Sequence, residues 1–389
     1  MIDWKFKTSN CRPIGLDIGH HSIRMIQLAT GRGRISVLAA AEVRVDADVR
    51  DNEAERRGFV IFAIKQMLAK GGFRGRNVVS CLPSSKLKIT SVRLAAAETD
   101  EIEQVLRREV AQRFGLNGDK DTVNYLFAGS VQHGDEVKNE FIVFAADAEA
   151  VRNHIRMLEQ AGLRPTAIDT VPSALFRNFE RSLRRQEDRE RTAVFVDVGS
   201  RFTTVVFGRG EEINFVKQIP VGGEKFNREI ASKLNITVDE AEMLRRKMRA
   251  EKAAGAGCDN GTADSGLDEA ARRVIVDVVT NVSQELAGEV SLCFRYYTVT
   301  FRGQSVEKAV VAGGEAYETI LLNVLKRHLT VEVEVAQPLR GFDMTGVNFG
   351  DDGKSTLCEW SVAAGLGLKG WKGITERSKS SVVLSGTGA

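Results

Sequence analysis

Two stretches of this chain follow one pattern 180 residues apart, and that repeat constrains the fold more than any other feature. The first, Ile14 to Leu28, reads I-G-L-D-I-G-H-H-S-I-R-M-I-Q-L; the second, Ala193 to Phe207, reads A-V-F-V-D-V-G-S-R-F-T-T-V-V-F. Asp17 answers to Asp197 and Gly19 to Gly199. Each stretch predicts a β-hairpin closed by a tight glycine turn. Such a turn offers backbone N–H groups that can curl around an anion, and a carboxylate beside it can hold the metal ion that the anion needs. One Asp-x-Gly hairpin carries little information. Its recurrence points to two similar halves.

A third glycine turn, Gly313-Gly314, stands between a strand at Val306–Val311 and a helix running to His328. Glycines at that junction let a flat ring approach the backbone where a Cβ would collide. If the halves face each other, the two hairpin turns close on one cleft from opposite walls. That cleft suits a triphosphate, with amides on the phosphates and two carboxylates holding Mg2+ through its waters.

The 389 residues suffice for two or more domains. Lys and Arg (55) nearly balance Asp and Glu (52), so the charge gives no reason to invoke nucleic acid. The five cysteines are scattered without a C-x-x-C pair, which argues against a disulfide framework or zinc site and fits a reducing cytoplasm. No apolar run reaches the roughly 18–20 residues of a bilayer span, and the N-terminus lacks the apolar core of a signal peptide.

Along the chain, a third strand is expected over Arg34–Val45, a helix over Gly58–Lys70 and a buried strand over Asn77–Leu82. From about Lys86 a β-α-β-β-α-β order describes an inserted α+β module. Its elements are a strand at Lys88–Leu94, a helix opened by an Asp100/Glu103 capping box, strands at Val123–Val131 and Glu140–Ala146, a helix ending at Gly162, and a strand from Thr166 to Val171. Phe176 to Thr192 reads as a solvated helix and linker because its charges alternate in sign. In the second half, Ile213–Val221 is a strand, Phe226, Ile230 and Leu234 stripe a helix, and Thr237 with Glu240 caps the next. A Gly/Ala-rich loop is expected at 253–266, a long helix from Leu267 to about Thr300, a strand at Val331–Val335, a small-residue helix at Trp360–Leu368 and a disordered tail from Thr375. The expected units are 1–84, the inserted module 85–170, a second-half core in 171–221 and 306–356, a helical subdomain 222–305, a C-terminal helix 357–374 packing on the first half, and the tail 375–389.

With these motifs in order, the chain resembles the actin/Hsp70/sugar-kinase superfamily, and within it the PilM family of actin-like type IV pilus assembly proteins. The carrying stretches are Gly15-Leu-Asp-Ile-Gly, Val196-Asp-Val-Gly, Ile219-Pro-Val-Gly-Gly-Glu224, Ala241-Glu242, Val311-Ala-Gly-Gly314, Val335-Ala-Gln-Pro-Leu339 and Ala363-Ala-Gly-Leu-Gly-Leu368. In the module they are Leu82-Pro-Ser-Ser and Leu158-Glu-Gln-Ala-Gly-Leu-Arg-Pro165, with Asp169. The resemblance implies an α/β actin-like ATPase fold, two RNase H-like halves around a nucleotide cleft. It implies ATP and Mg2+ as ligands, with Asp17, Gly19, His20, His21 and Ser22 on the first phosphate loop and Asp197, Gly199, Ser200 and Thr203 on the second. Asp17 and Asp197 would hold the Mg2+ through water. Gly222, Gly223 and Glu224 would border ribose and phosphates, Glu242 and Arg245 would reach ribose and adenine, and Gly313, Gly314 and Glu315 would back the adenine.

The implied partner is PilN, an inner-membrane protein whose short cytoplasmic N-terminal tail docks beside the inserted module. The implied place is the cytoplasm, at the inner membrane through that partner, serving a type IV pilus or related type II secretion system; self-association stays open. His20 and His21 stand where the family has small hydroxyl residues, Arg24 where it has lysine, and Arg201 and Phe202 where it has small residues. The expectation is therefore binding with at most slow hydrolysis, and no general base is assigned. His20 and His21 are not expected to share a metal, since adjacent strand residues point to opposite faces. His133, His154 and His328 have no partners at useful spacing. Two rival readings use the same superfamily: a filament-forming division protein like FtsA, which would carry a C-terminal amphipathic membrane helix, and a small-molecule kinase, which needs a substrate-side carboxylate.

Overall fold

The computed structural model describes residues 10–31, 34–95, 101–117, 120–133, 136–181, 191–255, 268–301, 306–349 and 356–370. The repeat becomes two five-stranded sheets of the same topology. In the first half, β1 (Asn10–Ile18), β2 (Ser22–Gly31), β3 (Arg34–Arg44), β4 (Asn77–Cys81) and β8 (Arg164–Asp169) lie in the order β3-β2-β1-β4-β8. In the second, β9 (Thr192–Val198), β10 (Thr203–Arg209), β11 (Glu212–Ile219), β12 (Val306–Ala312) and β13 (Glu332–Val335) lie in the order β11-β10-β9-β12-β13. Each has a three-stranded antiparallel meander followed by two parallel strands. The central strands are apolar because helices cover both faces: Ala193 through Val196, and Val198, are all buried.

Two short helices join the halves. α5 (Val171–Glu180) leads from β8 toward β9, and α10 (Ser361–Gly367) returns to pack on α5 and β1. The helices touch backbone to backbone. A Cβ on Gly365 would lie 1.8 Å from the Ala174 carbonyl oxygen, so only glycine fits. Behind this crossing, buried Asp169 accepts from Lys369 Nζ at 2.9 Å and from Arg177 Nη2 at 2.9 Å.

α1 (Ala47–Arg50) and α2 (Glu53–Lys70) make a corner at the rim of the first half, where Asn52 Oδ1 caps α2 by accepting from the Ala54 amide at 3.2 Å. The inserted module is the three-stranded sheet β5-β7-β6, from β5 (Lys88–Ala95), β6 (Thr122–His133) and β7 (Glu136–Ala146), backed by α3 (Ile102–Phe114) around Val92, Leu94, Leu106, Val110, Phe141 and Val143. The β-α-β-β-α-β order is present. Its last helix and strand, α4 (Ala148–Gln160) and β8, complete the first-half core instead, with β8 pairing β4 and His154 on α4 bonding Ser80 Oγ at 3.2 Å. The second half adds α6 (Gly223–Leu234), α7 (Val238–Gly255), α8 (Glu269–Thr300) and α9 (Thr319–His328). Arg93 of the module donates to the Tyr296 hydroxyl on α8 at 3.0 Å.

Several local expectations change. The stretch from Phe176 to Glu180 is a buried helix end, not a solvated one: its apolar face meets β9, where Phe179 stacks on Phe195 at 5.1 Å, and the rest of the expected linker, 182–190, lies outside the described residues. Thr170 and Val171 leave the expected strand, since the Thr170 hydroxyl caps α5 by accepting from the Ser173 amide. Gly314 opens a single 3-10 turn to Tyr317, and Glu318 then caps α9. Residues 253–255 continue α7. Asp100, most of the expected loop 253–266, Leu267 and the tail 375–389 lie outside the described residues. No described helix is long and apolar enough to cross a membrane.

Candidate functional site

The two hairpin turns open onto one cleft of about 500 Å3 between the halves. Fourteen of the residues expected in the site line it: Asp17, Gly19, His20, His21 and Ser22 on one wall, Asp197, Gly199 and Ser200 opposite, and Gly223, Glu242, Arg245, Gly313, Gly314 and Glu315 further round, so that Asp17 and Asp197 face the same space.

 The other three departures reach the cleft as well: Arg24, directly opposite Asp17 in the β1–β2 ladder, Arg201 and Phe202. Three residues expected in the site stand behind its walls. The Thr203 hydroxyl is spent on the Val221 carbonyl at 2.7 Å, Gly222 packs under the carbonyls of Gly199 and Ser200, and Glu224 is ion-paired to Arg201 and Arg228.

The second loop is fixed from below. Its Gly199 amide donates to the Phe202 carbonyl at 3.1 Å, while the Gly199 and Ser200 carbonyls accept from the Gly223 and Glu224 amides at 3.0 and 2.8 Å. Those loop carbonyls cap the start of α6 and leave the loop's free side turned to the cleft. Polar atoms there lack hydrogen-bond partners: Ser200 Oγ and His20 Nδ1 are buried and bond to nothing, while His20 Nε2 meets only the Asp51 carboxylate, at 3.5 Å. Buried polar groups without partners are costly, and an anion oxygen between the loops would satisfy them.

Gly313 carries the third turn with φ +89°, and a Cβ there would lie 2.6 Å from Asp197 Oδ1 and 2.4 Å from the Val198 carbonyl oxygen. Glycine therefore keeps that carboxylate approachable. Burial pushes the Asp17 carboxyl up to about 6; Arg24 works against that, and Glu42, which holds Arg24 at 2.8 Å, adds to it. Burial and then the neighbouring Asp17 push Asp197 up to about 7. Two hard-oxygen carboxylates that resist ionising together fit a divalent cation, whose charge would reverse both shifts.

The far wall is a buried arginine site. Arg245, 2% exposed, donates to the Gly223 carbonyl at 3.1 Å and Asn227 Oδ1 at 3.0 Å, lies 4.9 Å over the Phe226 ring, and pairs with Glu315. Burial acts to raise the Glu315 carboxyl, but Arg245 and Arg249 outweigh it and hold it below its usual range. Glu242 does not share this site. It turns to the opposite half, 3.0 Å from Arg50 Nη1 and 3.4 Å from His21 Nδ1, and the His21 hydrogen bond leads in lowering its carboxyl to about 2.

Reading the sequence missed the rim. Arg50, Asp51 and Arg56 line the cleft from the α1–α2 corner, and 82–85, quoted only as part of the module, line it after β4. Asn52 as a cap ahead of α2 was the available signal for the corner.

The doubled sheet, the two helices that join the halves and the facing Asp-x-Gly turns define the actin-like ATPase fold. A solved PilM–PilN type IV pilus biogenesis complex matches with a TM-score of 0.72 at 22% identity, over 93% of this chain and 99% of that one. The ethanolamine utilization protein EutJ from Carboxydothermus hydrogenoformans matches with a TM-score of 0.52 at 17% identity, over 92% of this chain and 89% of that one. The family model of the type IV pilus assembly protein PilM matches residues 15–254, which takes in the first Asp-x-Gly turn, the module and the second turn, and the chain belongs to that family. The model of the cell division protein FtsA matches 194–349, the second half. The FtsA of Streptococcus pneumoniae is 21% identical over 253 residues, 59% of this chain, and the chain spans 54% of the length of that curated relative.

Proposed function

We propose that this PilM-family chain binds ATP with Mg2+ between its halves and reports nucleotide state to a PilN-like inner-membrane protein of the type IV pilus, or related type II secretion, platform. The observation that carries the reading is the facing pair Asp17 and Asp197, both pushed up by burial on opposite walls of one cleft. Asp17 and Asp197 would hold the Mg2+, whose charge would let both carboxylates ionise beside phosphate. The chain's own groups do the rest. Loop amides and Ser200 Oγ hold phosphate oxygens, and Gly313 leaves room for the nucleoside beside the Arg245–Glu315 pair. A ligand that touches both walls favours the closed arrangement of the halves about α5 and α10.

The partner reading rests on the family and on the PilM–PilN complex among its structural relatives. The module is the natural reporter surface because it also bonds the second half through Arg93 and Tyr296. With no residue assigned as general base, the proposed role is a cytoplasmic assembly scaffold and at most a slow ATPase. Fluorescence anisotropy of a labelled PilN N-terminal tail peptide tests the coupling. Mg-ATP should change its affinity at least about threefold; equal affinity with and without nucleotide would refute the coupling, and no binding in either state would refute the partner.

A further inference from the structure

Across the mouth of the cleft, four basic groups crowd the phosphate loops: His20, His21, Arg56 and Arg201. Arg56 donates to the Gly19 carbonyl at 2.7 Å, and Arg201 follows directly on Ser200. Arg201 raises the cost of charging both His20 and Arg56. His20 is pushed down to about 4, by burial first and then by Arg201 and His21, and Arg56 is lowered by burial and by Arg201. Three carboxylates answer this charge where phosphate oxygens would otherwise do so. Asp51 pairs with Arg201 and lies 3.5 Å from His20; Glu224 accepts from Arg201 Nε at 2.7 Å; Glu242 faces His21 and Arg50.

These carboxylates are not equally replaceable. Glu224 is 12% exposed and is held by Arg228 as well, whereas Asp51 is 70% exposed and sits on the rim corner between α1 and α2. An exposed ion pair contributes little and yields to a stronger anion. Asp51 belongs to the first half and Arg201 to the second, so their pair spans the cleft.

We infer that Asp51 is an internal phosphate mimic that latches Arg201 across the cleft, and that a nucleoside triphosphate takes Arg201 from Asp51 and releases the rim corner 47–53. Arg201 thereby becomes the side chain that favours triphosphate over diphosphate, because the extra phosphoryl group brings the added negative charge that displaces Asp51. The inference rests on the nucleotide reading for its ligand, but the latch exists without one.

Hydrogen exchange and calorimetry separate the two. In the empty protein, Asp51→Ala and Arg201→Gln should each speed amide exchange across 47–56, while the strand β9 stays protected as a control for folding. Unchanged exchange in both variants overturns the latch whatever the ligand. With nucleotide, Asp51→Ala should tighten Mg-ATP about threefold and leave Mg-ADP unaltered, and Arg201→Gln should abolish the wild-type preference for Mg-ATP. Equal effects on both nucleotides overturn the assignment of Arg201. Wild-type protein that binds neither nucleotide, with the latch present by exchange, refutes the cleft's ligand and with it the displacement.

Discussion

Asp197 shows how a site residue works against the fold that carries it. Its folded pKa of about 7 lies above the ordinary value of 3.8, so as pH rises the unfolded chain ionises this carboxyl first. Without a cation, Asp197 therefore weakens the fold progressively from about pH 4 to pH 7, and the whole penalty is present above that. Asp197→Asn should stabilise the ligand-free protein at pH 8 by on the order of 2 kcal/mol and lose that advantage near pH 4. Urea unfolding of both proteins at the two pH values checks this; a variant equally or less stable at pH 8 would mean the carboxylate is not confined as described. Arg245 lies at the opposite extreme. Its charge is buried but answered by Glu315, Asn227 and a carbonyl, so truncation would leave Glu315 with Arg249 alone and destabilise the second half.

At the scale of elements, the junction between the halves depends on two helices in backbone contact. Gly365→Ala places a Cβ 1.8 Å from the Ala174 carbonyl oxygen and should cost about 1–3 kcal/mol through overpacking. Gly288→Ala, inside α8 with nothing within 4 Å, should be neutral or stabilising by up to about 1 kcal/mol. Denaturant midpoints of the two variants compare the effects, and equal midpoints would remove the close crossing from the account. The hairpins were legible in the sequence because alternation, Asp and Gly recur at fixed spacing. The end of α5 was not, because its apolar face and the charged stretch after it run together in sequence, and only the stacking of Phe179 on Phe195 separates them. The corner at Arg50 and Asp51 was equally hidden: α1 is one turn long and buries nothing, so no apolar period marks it. Partners were harder to read than positions. Glu242 and Arg245 share a helix, yet one bonds the opposite half and the other the floor beneath Gly223, a divergence that spacing alone does not encode.

Over the whole molecule, a repeated sheet becomes a clamp. Each half contributes an Asp-x-Gly turn at the same place in the same topology, so bringing the halves together sets two carboxylates face to face. The module joins the first half in sequence but bonds the second in space through Arg93 and Tyr296. The central claim is that Asp17 and Asp197 jointly hold a cation-bound nucleotide. Titration calorimetry of Mg-ATP into wild type, Asp17→Ala and Asp197→Ala, at pH 8 and with and without EDTA, tests it directly. The account predicts Mg2+-dependent binding that each variant weakens at least about tenfold; affinity unchanged in both variants, or indifferent to EDTA, would contradict it.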